Sequence, residues 1–346
     1  MQGRIQPGDP DLLQASIKDD FFLDDKRYGH MKYPFNLLIS FIVSFLLVSF
    51  TCVNLCKASR YPVAMTDSDG HNLVVKAPFS RIVSLYPAHT ENLVNLGAGN
   101  RLVGTSKGSR PIKGVPKGCK TVSCRDDLER LLVLKPDLVI IRPMISRAHP
   151  NLVKGLERNG ITVISLQPIT PNDLYDYWKK LGILAGKSKE AADMTKRFKE
   201  GLRKMAKRVE LIPEDKHRKV YFEAIHRRMK TFAPGSLQIF CLETAGGMNI
   251  ASDAVRLRNT NIAEYGKERI LSKANEIDVF LAQRGRMNPV TKEEIINEPG
   301  FQVIKAIKQG RVYLVDETIV SRPTIRLLKG MDTIFRLLYP KMEGGK

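Results

Sequence analysis

At 346 residues the chain is too long for one ordinary core, so two domains are expected. A content of 43% hydrophobic and 27% charged residues excludes a disordered chain. The 56 Lys and Arg outweigh 36 Asp and Glu to give a net charge of +20. No basic-aromatic stripe or zinc-finger spacing accompanies that charge, so an anionic ligand or membrane is expected rather than nucleic acid.

Residues 1–58 stand apart from the fold. Their six Lys and Arg and six Asp cancel, so the whole net charge belongs to the remainder. The stretch NLLISFIVSFLLVSF (36–50) is apolar without helical periodicity and follows Met31-Lys32. It is short for a spanning helix and fits the apolar region of a secretory signal. Cys56-Lys57-Ala58 supplies small residues for cleavage after Ala58. A lipidated Cys52 or Cys56 and an uncleaved membrane anchor are the alternatives. With Met31 as the start, residues 1–30 are an extra leader. The remainder is read as exported. In an oxidising compartment Cys119 and Cys124 can pair, leaving Cys241 single and buried.

From Arg81 the pattern alternates strand and helix. RIVSL (81–85) is a strand; Thr90 can cap the next helix, with Glu91 in its first turn and Gly97 and Gly99 at its end. A weaker strand spans 102–104, a short helix 126–134, a strand LVII 138–141 and a helix 151–160. The strand ITVISL (161–166) and the helix 171–186 follow, the latter holding the single tryptophan, Trp178. Such alternation implies a parallel sheet with right-handed crossovers. Then Ala191, Met194, Phe198, Leu202, Met205 and Val209 recur at three-to-four spacing, which predicts one long amphipathic helix over 188–213. A second α/β unit follows: strand 220–225, helix 236–246, a short helix and strand within 270–283, helices within 292–310, strand 312–316 and a closing helix 324–340. The expected architecture is therefore two Rossmann-like α/β lobes with parallel sheets, 79–187 and 218–346, joined by one long helix at 188–213.

The strand exits carry the chemistry, since ligands of open parallel sheets bind at the carboxyl ends of strands. RIVSL leads to Tyr86-Pro87-Ala88-His89, LVII to Arg142-Pro143-Met144 and TVISL to Gln167-Pro168. In the second lobe VYFEAI leads to His226-Arg227-Arg228, DVFLAQ to Arg284 and Arg286, and VYLVD to Ser321-Arg322-Pro323. Four of these six exits present arginine, a planar fork of donors for carboxylate or phosphate. One such arginine is ordinarily a solvated loop residue; its recurrence in both lobes points to a crevice for an anionic ligand. There is no GxGxxG, GxxxxGK[ST], GxSxG or HExxH, so no enzyme signature is present.

FSRIVSLYPAHTENLVNLGAGNRLVG (79–104) resembles the opening of substrate-binding proteins of ABC importers for cobalamin, ferric siderophores and haem. The likeness continues through 126–140, 160–166, 233–251 and 300–316, and covers 79–340. It implies two α/β lobes on one helical backbone, a monomer without catalytic activity, and no cofactor beyond the cargo. It also implies docking on permease subunits through one glutamate per lobe, at the positions of Glu129 and Glu243. The cargo implied is a metal chelate held by Tyr86, His89, Arg142, Met144, His226, Arg228, Arg284, Arg286 and Arg322. Trp178 is expected away from the crevice, unlike the cleft tryptophans of cobalamin binders. The implied location is the periplasm or the outer face of the cytoplasmic membrane. A membrane-anchored sensor and a chelatase-like enzyme are the alternatives.

Overall fold

The computed structural model describes residues 61–109, 111–258 and 260–343. The signal, anchor and cleavage-site readings on 1–58 lie outside the described residues. Among the described residues no helix is long and apolar enough to cross a membrane. Arg60–Lys346 forms one compact unit. It holds three hydrophobic cores of its own, as an independently folding segment requires.

An antiparallel hairpin, β1 (Val63–Thr66) and β2 (Asn72–Val75), comes first. It precedes the residue at which the first lobe was expected to begin and is tied to that lobe. Ser68 N donates to Ser165 O at 2.8 Å and Ser146 Oγ to Asp69 Oδ2 at 2.6 Å. The first large sheet holds β3 (Ile82–Ser84), β4 (Leu102–Thr105), β5 (Lys120–Thr121), β6 (Leu138–Ile141) and β7 (Thr162–Ser165). Its order is β5-β4-β3-β6-β7, parallel throughout. Every residue of β3 and β6 is buried, as the unbroken apolar runs predict for strands covered on both faces.

The second sheet has seven strands. β8 (Arg218–Ile225), β13 (Val279–Arg284), β14 (Val312–Asp316) and β10 (Gly247–Asn249) are parallel. β9 (Lys230–Phe232), β12 (Ile262–Glu264) and β11 (Val255–Arg256) extend it antiparallel from β8. The parallel plan thus holds at the centre, while the antiparallel edge is an addition made of strands of two or three residues.

Between the sheets runs the linking helix Ser188–Val209, ending four residues before Pro213. Its face of Ala191, Met194, Phe198 and Met205 is buried, with Phe198 edge-on to Trp178 at a centroid distance of 5.2 Å. On its other flank, Gly201 lets the closing helix Leu327–Leu338 approach: a Cβ there would lie 2.5 Å from Leu328 Cδ1. Arg208 bonds Asp332 at 2.6 Å and covers the Phe335 ring. One core accordingly runs from the first lobe through this helix into the second, and two others fill the far faces of the sheets.

Candidate functional site

The exit of β3 starts the helix Pro87–Asn95 three residues earlier than the expected Thr90 cap. Pro87 fixes φ for a first helical position and needs no N–H partner there. That shift turns Thr90 inward, onto Ser84 Oγ at 2.8 Å and Ser109 Oγ at 3.0 Å. It also points Glu91 and Asn92 at the second lobe.

The two lobes meet through polar contacts. Asn92 Nδ2 donates to Pro323 O at 2.9 Å and Trp178 Nε1 donates to the same carbonyl at 3.2 Å. Thr324 Oγ1 donates to Glu91 Oε1 at 3.0 Å. Glu91 Oε2 accepts no hydrogen bond and faces Arg326 at 3.6 Å and Arg322 at 3.8 Å. Trp178, expected away from the crevice, is fully buried and presents no surface to a ligand.

Above this joint stands Tyr86. The guanidinium of Arg142 lies 4.1 Å from its ring centroid, a cation–π contact. Burial raises the Tyr86 pKa, while Arg142 from the same lobe and Arg322 from the other oppose the rise. Glu317, at the exit of β14, also acts on Tyr86, and its Oε2 accepts from Met287 N at 3.4 Å. Tyr86, Arg142, Arg322 and Glu317 therefore share one electrostatic neighbourhood built from both lobes. Arg142 Nε is buried without a partner, an unused donor beside a phenol ring.

The other expected residues fall into three groups. His89 is fully buried, donates from Nε2 to Leu166 O at 2.9 Å, and presents no surface to a ligand. Burial, aided by the charge of Arg142, holds its pKa down to about 3, so the ring is neutral. His226 is nearly buried: Nδ1 donates to Glu223 Oε2 at 2.9 Å and Nε2 lies 3.7 Å from Glu298. Burial opposes its charge, yet Glu223 and Glu298 leave its pKa raised. Met144, Arg228, Arg284 and Arg286 are exposed, with Met144 at 54%; Met287, at a strand exit of the second lobe, is 46% exposed.

Several participants were missed in the sequence. Glu91 was read only as a first-turn residue, and Glu317 was passed over. Glu223 sits inside the apolar run VYFEAI, three residues before His226, and a carboxylate there was the available signal. Gln283 and Asn288 complete a buried polar layer: Ser321 Oγ donates to Gln283 Oε1 at 2.5 Å, and His226 N donates to Asn288 Oδ1 at 2.9 Å. Among the described residues no cluster of three or more His, Cys, Asp or Glu is placed to hold a metal ion. Cys119, Cys124 and Cys241 are all free thiols, so the possible 119–124 pair is not formed.

Both glutamates singled out for docking are exposed, Glu129 on the helix Leu128–Leu132 and Glu243 near the end of Leu237–Thr244. A surface hollow of about 480 Å³ on the first lobe lies beside Leu128, lined by Cys124, Asp126 and His149.

This architecture has relatives. An uncharacterised ABC transporter substrate-binding lipoprotein of Bacillus subtilis is 26% identical over 286 residues, covering 82% of this chain and 88% of its own length. A cobalamin-binding protein of Halobacterium salinarum is 23% identical over 288 residues, covering 80% and 73%. A solved structure of a possible iron-binding (periplasmic solute-binding) protein from Staphylococcus epidermidis matches with a TM-score of 0.66 and 25% identity, over 75% of this chain and 99% of that one. A family model described as periplasmic binding protein matches residues 82–318, more than half the chain. The chain belongs to the periplasmic binding protein family.

Proposed function

We propose that the chain captures an anionic metal chelate between its lobes and delivers it to the permease of an ABC importer. Family membership supports a substrate-binding role in transport, and we read the chain as a binding protein without catalytic activity. The chelate is our reading of its cargo. The observation that carries it is Arg142 stacked on the Tyr86 ring with its Nε buried and unpartnered, while Arg322 of the opposite lobe acts electrostatically on the same phenol. Two guanidinium groups facing one crevice suit carboxylate or other anionic oxygens at the rim of a chelate. The exposed thioethers of Met144 and Met287 suit the apolar body of such a ligand. Relatives named for cobalamin and for iron support the same class.

The contact set we propose is Tyr86, Arg142, Met144 and Met287, with Arg228, Arg284, Arg286 and Arg322 supplying charge. His89 and His226 act behind them, as buried supports. Glu129 and Glu243 are the proposed permease contacts, one exposed carboxylate on each lobe. The working location is outside the cytoplasmic membrane, with residues 1–58 as signal or anchor, and the working state is a monomer.

The test is titration of residues 60–346 with haem, cobalamin, ferric siderophores, and bare iron and zinc, by absorbance and calorimetry. One-to-one binding of a chelate, weakened by about 10-fold or more in Arg142→Ala, is the expected result, as for loss of a charge-assisted hydrogen bond. Binding of bare metal alone, or of nothing in the panel, overturns the reading.

A further inference from the structure

The linking helix has a second face that the crevice does not use. Lys196, Arg197, Lys199, Arg203, Lys204 and Lys207 are all exposed. At 3.6 residues per turn Lys196, Arg203 and Lys207 lie opposite Ala191, Met194, Phe198 and Met205, Lys199 and Lys204 flank them at about 70° to either side, and Arg197 stands at the edge of that side. Lys199 stacks over Tyr175 at 4.9 Å; the other five form no ion pair among the described residues. Glu200 is the one acid between positions 196 and 207, and it is half-buried. Six cations thus line a stretch of about 17 Å of rigid helix.

We propose that this face is an electrostatic contact for an anionic lipid bilayer; the proposal rests on the extracytoplasmic placement given above. A cluster of four to eight Lys and Arg on one amphipathic helix matches anionic headgroups, each cation adding a modest increment near the surface. Long aliphatic stems let the charged ends reach a planar surface together. The point where the chain enters the compact unit favours a bilayer over a soluble polyanion. The Tyr61 hydroxyl donates to Ile183 O, so that end of the chain lies just before the linking helix begins at Ser188. From Phe50, the end of the apolar run, to Tyr61 the chain reaches at most about 40 Å fully extended. Any attachment retained within residues 36–58 therefore keeps the cationic helix within reach of the same membrane. Contact through this face leaves the crevice, built on other elements, uncovered.

Co-sedimentation of residues 60–346 with vesicles tests the idea, using phosphatidylcholine alone or with about 30% phosphatidylglycerol. Binding to the anionic vesicles only, weakening between ~0.05 and ~0.3 M salt, is expected. The triple variant Lys196→Glu, Arg203→Glu, Lys207→Glu should lose about 10-fold or more in affinity. A control of equal charge change on exposed residues elsewhere, Lys113→Glu, Lys117→Glu, Lys154→Glu, should lose less than about 3-fold, since those sites lie off the helix face. Circular dichroism melting confirms that both variants are folded. Equal losses in the two triples would show that net charge, not this helix, is responsible, and would overturn the proposal. So would absence of vesicle binding, or binding to inorganic polyphosphate without binding to vesicles. No arm contains a chelate, so failure here leaves the cargo reading standing, and failure of the chelate titration leaves this result readable.

Discussion

A histidine with no exposed surface is a titration liability as well as a packing element. His89 is held neutral with a pKa of about 3, chiefly by burial and further by Arg142. In the unfolded chain an ordinary histidine protonates near pH 6.5. Between those values the unfolded state binds the extra proton, so stability falls as pH drops from about 6.5 towards 3. At pH 4.5 the cost from this one group is about 2–3 kcal/mol. His89→Gln retains an amide donor for Leu166 and removes the titration. Its loss of unfolding free energy between pH 7 and about 4.5 should be smaller than the parent's by that same amount, as read by denaturant titration. Identical losses in the two proteins would mean that His89 is not what acid attacks. His89 was expected to touch ligand because it stands one turn inside a strand exit. Its real position follows from the helix starting at Pro87, which buries residue 89 in hydrogen-bond contact with Leu166 O.

At the scale of elements, the short loop 321–326 decides how the lobes are joined. Its carbonyl at Pro323 takes two donors from the first lobe, and its Thr324, Arg322 and Arg326 surround Glu91, whose side chain is 7% exposed. Removing one member of a buried ionic group leaves its partners unpaired, which ordinarily costs several kcal/mol. Glu91→Ala should therefore lower the unfolding free energy by about 2–4 kcal/mol. Arg326 is 38% exposed, so water screens it, and Arg326→Ala should cost no more than about 1 kcal/mol. Chemical denaturation of both variants measures this directly; a Glu91→Ala cost below that of Arg326→Ala would show that the joint is held by packing instead. None of this was readable beforehand, because Glu91 and Thr324 are 233 positions apart and neither lies in a periodic pattern. The buried parallel strands were readable, since LVII and VFLA of β13 must be apolar to be covered on both faces. The antiparallel edge was not: KTF and IAE are three-residue strands whose pairing depends on β8 rather than on their own composition.

For the whole molecule, the question is how far the lobes can move. The linking helix is grasped on both flanks, by Trp178 and Tyr175 on one side and by Leu328 and Asp332 on the other. A hinge requires a few residues whose φ and ψ can change freely. Within Ser188–Val209 every such residue is inside a continuous hydrogen-bonded helix. Bending it means breaking backbone bonds and disturbing a core shared by both lobes. The joint at Pro323 adds a second fixed point, tied to the helix through Trp178. Two attachments resist rotation better than one, so capture at the proposed site should proceed by local rearrangement of Arg142, Arg228, Arg284 and Arg286. Small-angle scattering of residues 60–346, with and without a saturating chelate identified by titration, should show radii of gyration equal to within about 1 Å. A contraction of about 2 Å or more would require a hinge that this helix does not contain, and would move the site of closure to the 209–217 segment, where the helix has ended and β8 has not begun.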